Sequence, residues 1–185
     1  MMESLLDEKE FLAPGGIRSL SKIHEKSYEI NIKGQVFGIN YQPGESNSSL
    51  YGGNSNWRGP VWMPMNYLLL LSLKKYCDYF KGQCCVTFPA GTGSSMPLSM
   101  VSIKLAERLV AVFKKDNEGK RPVHNNTPQY ENDPNFKDLV LFYEYFHGDN
   151  SRGVGASHQT GWTGVVAELI NRVNIIFKKN VHQSF

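Results

Sequence analysis

The chain has little of what marks a membrane-spanning, disulfide-rich or nucleic-acid-binding protein. Its three cysteines, Cys77, Cys84 and Cys85, form neither an even disulfide set nor a pair of spaced metal-ligand dyads. The longest apolar run, 67–71, is far too short to cross a bilayer. A net charge of +3 gives no basic field of the kind that nucleic acids bind. These absences predict no membrane span and no nucleic-acid partner.

The start of the chain lacks a secretory signal. Residues 1–10 carry acidic charge and have neither the basic start nor the apolar run of such a signal. Without export, the cysteines are expected to be reduced thiols. The sequence therefore predicts a cytoplasmic protein, unless an export signal precedes Met1.

The composition is that of one globular domain. The 185 residues are enough for a sizeable core, and 41% hydrophobic with 20% charged residues is an ordinary balance. Apolar residues recur at helical spacing in three stretches, and two stretches around Gly34 resemble a hairpin. The predicted elements are helices over about 61–80, 98–113 and 162–177, and strands over 28–33 and 36–41.

Each predicted helix has an apolar stripe that should face the core. The stripe residues are Trp62, Met65, Leu69, Leu73 and Tyr76 in the first helix, Val101, Leu105, Leu109 and Val112 in the second, and Val166, Leu169, Ile170, Val173 and Phe177 in the third. The three stripes predict that helices supply most of the core.

One carboxylate, Glu144, stands among aromatic side chains, and a polar, Gly-rich loop then leads to Trp162. Aromatic rings stack on the apolar faces of pyranose sugars, and a glutamate held among rings can have its proton affinity tuned for acid or base work. On the loop, His158 and Gln159 can bond sugar hydroxyls. The pattern predicts a sugar-cleaving site that includes Tyr143, Glu144, His158, Gln159 and Trp162.

A second stretch, 52–67, places Trp57, Arg58, Trp62 and Asn66 in a loop that leads into the first helix. A helix start offers unpaired backbone N–H groups, an arginine offers a planar fork of donors, and a tryptophan offers a stacking face. These four residues predict a sugar subsite. An alternative of equal weight for any single residue is that Trp62 anchors the core and Arg58 is a buried ion-pair partner.

Other polar residues near the predicted site have simpler interpretations. Asp149 is placed to form a turn, and Glu168 lies one helical turn before Arg172, which predicts an ion pair on a solvated face. The spacing of His147 and His158 fits no recognised zinc pattern. The sequence predicts no metal and no cofactor.

Four blocks in this order resemble glycoside hydrolase family 63. They are Asn-Trp-Arg-Gly-Pro-Val-Trp (56–62), Phe-Pro-Ala-Gly-Thr-Gly (88–93), Tyr-Glu-Tyr-Phe (143–146) and Thr-Gly-Trp-Thr-Gly (160–164). The resemblance covers about 7–177 and is to the C-terminal part of the catalytic domain in proteins related to mannosylglycerate hydrolases and, more distantly, mannosyl-oligosaccharide glucosidases. Four blocks in family order are more specific than any one of them.

The resemblance implies a mainly α fold, the second half of an (α/α)6 toroid with a small β-hairpin. Residues 1–185 would then be the C-terminal half of the catalytic domain, and the chain would be a fragment, a split gene or the product of a mis-called start. The missing N-terminal half of the toroid would be a partner.

The resemblance also implies an inverting α-glycosidase, acting on an oligosaccharide or a glycoside. Such enzymes use a general acid and a general base. Glu144 matches the family's base, and the family's acid lies upstream of every residue present, so the chain alone should be inactive or nearly so. Glucosides and mannosides both remain open as substrates. The alternatives are a non-catalytic carbohydrate-binding or regulatory module and a degenerate gene product.

Overall fold

The computed structural model describes residues 1–47, 55–125 and 127–182, with 176–182 described by their backbone alone. Three long helices and three short ones lie within these ranges, together with two short 3-10 turns, at 22–25 and 122–124. The helices are α1 (Met2–Leu5), α2 (Met63–Tyr79), α3 (Leu98–Ala111), α4 (Pro128–Asn132), α5 (Thr160–Thr163) and α6 (Val166–His182).

The strands of the described chain pair in sequence order into four two-stranded antiparallel sheets. Each pair is therefore a local hairpin, and no two hairpins merge into a larger sheet. The strands are β1 (Leu12–Ala13) with β2 (Gly16–Ile17), β3 (Tyr28–Ile32) with β4 (Gln35–Ile39), β5 (Cys85–Thr87) with β6 (Ser95–Pro97), and β7 (Tyr145–Phe146) with β8 (Gly153–Val154).

The prediction of a mainly α half-toroid is wrong. The described helices and the two 3-10 turns together account for 37% of the chain. In the described ranges α1, α4 and α5 have only four or five residues, about one helical turn each, and the remainder is hairpins and loops. Helices this short cannot form the alternating inner and outer walls of a ring. The long helices instead pack directly, α2 on α3 and α3 on α6, around one shared core.

The predicted helices at α2 and α3 are confirmed. Pro64 lies in the first turn of α2, where its missing N–H costs nothing. α2 ends where Lys81 and Gly82 take positive φ and the Gly82 N–H donates to the Cys77 carbonyl at 2.9 Å. The predicted stripe of α3 is buried along its full length.

The predicted core face of α2 is partly wrong. Met65 and Tyr76 are exposed, and the buried residues within the helix are Met63, Asn66, Leu70 and Leu73. The buried face is rotated because Asn66 faces inward to bond the backbone of β2. A polar residue at a core position shifts the apparent apolar stripe when only apolar residues are counted.

The third predicted helix, 162–177, is two helices. α5 ends at Thr163, and α6 begins at Val166 after Gly164. In α6 the predicted stripe residues Val166, Leu169 and Val173 are buried, whereas Ile170 is 40% exposed. The side chain of Phe177 lies outside the described residues.

The predicted hairpin is confirmed as β3 and β4, which pair antiparallel from Tyr28 opposite Ile39 to Ile32 opposite Gln35. Lys33 and Gly34 both have positive φ, 52° and 86°, as a two-residue hairpin turn requires. No helix in the described ranges is long and apolar enough to cross a membrane.

Candidate functional site

Four aromatic rings from three parts of the chain form a cluster around Trp62. The Trp62 ring lies between Trp57, at 4.0 Å between centroids and 3° between planes, and Tyr145, at 4.6 Å and 23°. Trp162 meets Trp62 edge-on at 5.5 Å. Trp62 and Tyr145 are fully buried, whereas Trp57 and Trp162 are 39% and 40% exposed. The cluster therefore has a core centre and two rings open to a ligand.

The loop that carries Trp57 and Trp62 is fixed by strand-like bonds on both sides. Val61 exchanges two backbone hydrogen bonds with Phe146 of β7, at 2.8 and 2.9 Å, and the Ser19 N–H donates to the Pro60 carbonyl at 3.0 Å. The Trp62 indole N–H donates to the Asn56 carbonyl at 3.0 Å. These contacts bring the 56–62 block against the strand that follows Glu144.

Glu144 is half-buried and is held by neutral donors. The Ser55 hydroxyl donates to Oε1 at 2.8 Å, and the Ala156 N–H donates to Oε2 at 3.3 Å. Among the described residues Glu144 takes part in no ion pair. A carboxylate can accept about four hydrogen bonds. Two accepting positions are therefore left for a water or a sugar hydroxyl.

The loop behind Glu144 approaches it so closely that only glycine fits at 155. A Cβ added to Gly155 would lie 2.8 Å from Oε2 of Glu144 and 2.7 Å from the Tyr145 ring. The φ of Gly155 is +74°, which side chains rarely adopt. The Glu144 N–H also donates to the Ala156 carbonyl at 2.9 Å. Glu144 is thus held by hydrogen bonds to both its backbone and its side chain.

Arg58 and Asn66 are buried and bind other parts of the protein. Arg58 donates to the Gln42 side chain and, at 2.8 Å, to the Ser46 hydroxyl. The Asn66 amide accepts from the Ile17 N–H at 2.7 Å and donates to the carbonyls of Ile17 and Trp62, both at 3.0 Å. Both amide hydrogens of Asn66 are used within the protein, so its described bonds are structural.

A shallow depression of about 230 Å³ opens beside Trp57 and Trp62, and Asn66, Met65 and Leu69 also line it. It is smaller than typical small-molecule sites of roughly 300–1,000 Å³, so it has room for about one ring. Glu144 is not among its lining residues. The depression therefore extends the aromatic surface without containing the carboxylate.

Residues 156–163, which end in α5, lie along the segment that carries Tyr143 just before β7. The Gln159 N–H donates to the Phe142 carbonyl at 2.6 Å, and the Thr163 hydroxyl donates to the Tyr143 carbonyl. Burial raises the pKa of the half-buried Tyr143. His158 is exposed, with its ring edge-on to Phe142 at 6.2 Å. Its side chain is accessible to a ligand.

A charged network that the sequence does not reveal lies beside this region. One oxygen of Asp149 accepts from Arg18 at 3.2 Å, from Lys22 at 3.3 Å and from the Tyr41 hydroxyl at 3.0 Å. Burial opposes ionisation of Asp149, but the bonds from Tyr41, Lys22 and Arg18 outweigh it and hold the pKa below its usual value. Asp149 thus does more than form the predicted turn.

Arg18 connects this network to the N-terminal hairpin, because Nη1 also donates to the carbonyls of Glu8, Glu10 and Leu12. Gly59 packs against the Tyr41 ring, where an added Cβ would lie 2.6 Å from a ring carbon. The network therefore fixes the loop that carries the two tryptophans.

Replacing Asp149 by asparagine should lower the free energy of unfolding by about 2 kcal/mol, because it leaves the buried Arg18 guanidinium without its counter-charge. A depressed carboxyl pKa adds stability that is present above the unfolded-state pKa and is lost as the pH falls through the folded-state value. Urea unfolding should therefore show a constant difference from wild type between pH 5 and 8 that shrinks below about pH 4. A difference independent of pH down to pH 2 would contradict this.

No metal site is found in the described ranges, where no three His, Cys, Asp or Glu side chains are grouped as metal ligands. His147 accepts at Nδ1 from the Asp149 N–H at 3.1 Å, and burial lowers its pKa, which favours a neutral ring that bonds its own turn. The described geometry offers Glu144 as an acceptor of hydrogen bonds and the exposed indoles as stacking surfaces.

Two residues of the site were not predicted from the sequence. Ser55 lies in a loop of Ser, Gly and Asn residues, and nothing in that pattern indicates a partner 89 positions later. Tyr145 directly follows Glu144. Successive side chains of a strand point to opposite faces, so a strand here predicts that the Tyr145 ring points away from the Glu144 carboxylate and into the protein. This alternation is the sequence signal that could have identified Tyr145 as part of the aromatic cluster.

Comparison with known proteins gives relatives that are much longer than this chain. No family model matches it. An uncharacterised protein of Saccharomyces cerevisiae is 45% identical over 178 residues, 95% of this chain and 16% of that protein. A probable mannosyl-oligosaccharide glucosidase of Schizosaccharomyces pombe is 25% identical over 171 residues, 92% of this chain and 15% of that protein.

The mannosyl-oligosaccharide glucosidase of S. cerevisiae is 26% identical over 123 residues, which are 66% of this chain and 12% of that protein. The chain is similar, at a distance, to mannosyl-oligosaccharide glucosidases. It spans 16% or less of the length of each of these three relatives.

Proposed function

We propose that this chain supplies the general base and part of the sugar-binding surface of an inverting α-glycosidase. The observation that carries the proposal is the position of Glu144, a half-buried carboxylate held by neutral donors and directly followed in sequence by a ring of the Trp62 stack. In this role Glu144 accepts a proton from the water that attacks the anomeric carbon. Trp57 and Trp162 present exposed faces on which pyranose rings stack.

The leaving oxygen of an alkyl glycoside needs a proton from a second carboxyl group. Asp149 is a poor donor for this step because its pKa is held low by Arg18, Lys22 and Tyr41. We therefore propose that the general acid lies outside residues 1–185. A cytoplasmic location is part of the proposal, since the three cysteines are free thiols in the structure.

A substrate whose leaving group needs no proton tests the base alone. In α-glucosyl fluoride the carbon–fluorine bond breaks to release fluoride ion, while water, losing its proton to the base, adds to the anomeric carbon from the opposite face. The chain should release fluoride and form β-glucose, whereas methyl α-glucoside should not react. A fluoride electrode gives the rate, and proton NMR gives the anomer before mutarotation.

Comparison of α-glucosyl fluoride with α-mannosyl fluoride identifies the sugar. Release of fluoride at the rate of buffer alone for both fluorides would remove the catalytic proposal. Formation of α-glucose instead of β-glucose would show retention and would change the role of Glu144 from base to nucleophile.

Replacing Trp57 by alanine should weaken saccharide binding by roughly 2- to 13-fold, the effect of losing about 0.5–1.5 kcal/mol of stacking. The ring is 39% exposed, so the fold should remain intact. Titration of α-linked gluco- and manno-oligosaccharides by calorimetry measures the change. Tyr79→Ala is the control, because Tyr79 is an exposed aromatic side chain at the far end of α2, outside the cluster around Trp62. Equal losses in the two variants would contradict a specific stacking role.

A non-catalytic carbohydrate-binding role is the second candidate. It is favoured by the bonds of Glu144 to Ser55 and Ala156, which would stabilise two loops even without catalysis. This role predicts saccharide binding that depends on Trp57 together with no release of fluoride from either glycosyl fluoride.

A further inference from the structure

A cavity of about 450 Å³ lies at the C-terminal end of α3, and none of the four rings of the cluster around Trp62 lines it. Its apolar lining comes from α3 and α6, and its polar lining consists of Lys114, Lys115, Arg121 and Asn174. The volume is within the range of small-molecule sites, about 300–1,000 Å³. The cavity therefore combines apolar walls with three cationic side chains.

The guanidinium of Arg121 is only partly used by the protein. Its Nη1 donates to the Phe113 carbonyl, two residues after the end of α3. Its Nε is buried and has no hydrogen-bond partner among the described residues. A buried donor without a partner is unfavourable, so the described protein leaves this group unsatisfied. The bond to Phe113 uses only one of the three guanidinium nitrogens.

Two positive charges at the cavity lack a counter-charge in the described ranges. Neither Lys114 nor Arg121 takes part in an ion pair there. Lys115 pairs with Asp138 at 3.6 Å, but both side chains are well exposed, so this pair is weak. The cavity therefore has a positive potential that an anion would offset.

We propose that this cavity binds a phosphate monoester with an apolar or aromatic body. Arginine presents a planar fork that matches phosphate oxygens, and Arg121 lines the cavity together with Lys114 and Lys115. A dianionic phosphate matches the two uncompensated cations better than a monoanionic carboxylate does. Val110, Phe113, Ile170 and Val173 would contact the organic part of the ligand. This site is independent of Glu144 and of glycoside hydrolysis.

Calorimetric titration with phenyl phosphate at low ionic strength tests the proposal. Binding should be measurable, stronger than that of inorganic phosphate because of the apolar walls, and stronger than that of benzoate because of the second charge. Lys114→Gln should weaken it about tenfold. The Lys114 side chain makes no hydrogen bond in the described ranges, so this variant keeps the fold. Arg121→Gln should weaken binding further, but it also removes the hydrogen bond to the Phe113 carbonyl.

The control is Lys33→Gln, since Lys33 lies in the exposed turn of the β3–β4 hairpin. Its affinity for phenyl phosphate should equal that of wild type. The proposal is overturned if wild type does not bind phenyl phosphate, if Lys114→Gln binds as tightly as wild type, or if benzoate binds as tightly as phenyl phosphate.

Discussion

Replacing Glu144 by glutamine should slow fluoride release from α-glucosyl fluoride by about 10²- to 10⁴-fold, the usual contribution of a general base. Glutamine has nearly the same shape, and its carbonyl oxygen can still accept from the Ser55 hydroxyl or the Ala156 N–H. It cannot take the proton of the attacking water. The variant should therefore keep the saccharide affinity of wild type while losing turnover, which separates loss of catalysis from loss of the site.

Glu168→Gln is the matched control for this prediction. Glu168 is a half-exposed glutamate on α6 that pairs with Arg172 at 2.7 Å, as the sequence predicts. A surface pair of this kind contributes little, so both the rate and the stability should be close to wild type. Equal rates for Glu144→Gln and wild type would rule out Glu144 as the base.

Replacing Trp62 by alanine should lower the free energy of unfolding by about 3–5 kcal/mol. The ring is 1% exposed, stacks on Trp57 and Tyr145, and anchors the loop through its indole N–H. Its removal would leave a cavity between two rings and would leave the Asn56 carbonyl without its donor. Guanidinium unfolding followed by far-UV circular dichroism measures the loss without depending on tryptophan fluorescence.

Trp57→Ala provides the comparison within the same stack. Because its ring is 39% exposed, its removal should cost clearly less than the removal of Trp62. A similar loss of stability in the two variants would mean that Trp57 is also a core residue and would weaken its assignment to sugar binding.

Local structure was largely predictable from the sequence, since it depends on neighbouring residues. The helices at α2 and α3 and the β3–β4 hairpin follow from periodicity and from the Gly34 turn. The rotated face of α2 was not predictable. It depends on the Asn66 amide meeting the backbone of Ile17, 49 residues earlier. The prediction of how the helices pack was wrong for the same reason, because a family resemblance does not specify which helix faces meet in this chain.

The candidate site was likewise predictable only where it depends on local sequence. The exposed tryptophans and Glu144 could be selected as residue types suited to sugars. The role of Trp62 at the centre of the stack depends on its contact with Tyr145, which lies far along the chain. The ion pair of Asp149 with Arg18 joins residues that are 131 positions apart. No local pattern encodes such contacts.

The close approach of Gly155 to Glu144 should couple the evolution of these two positions. A methyl group at 155 would push against the carboxylate and against the Tyr145 ring, so a glutamate can keep its place only beside a glycine. By contrast, a Cβ at Gly161 would meet open space. Under natural selection for the carboxylate, codon 155 should continue to encode glycine while codon 161 drifts.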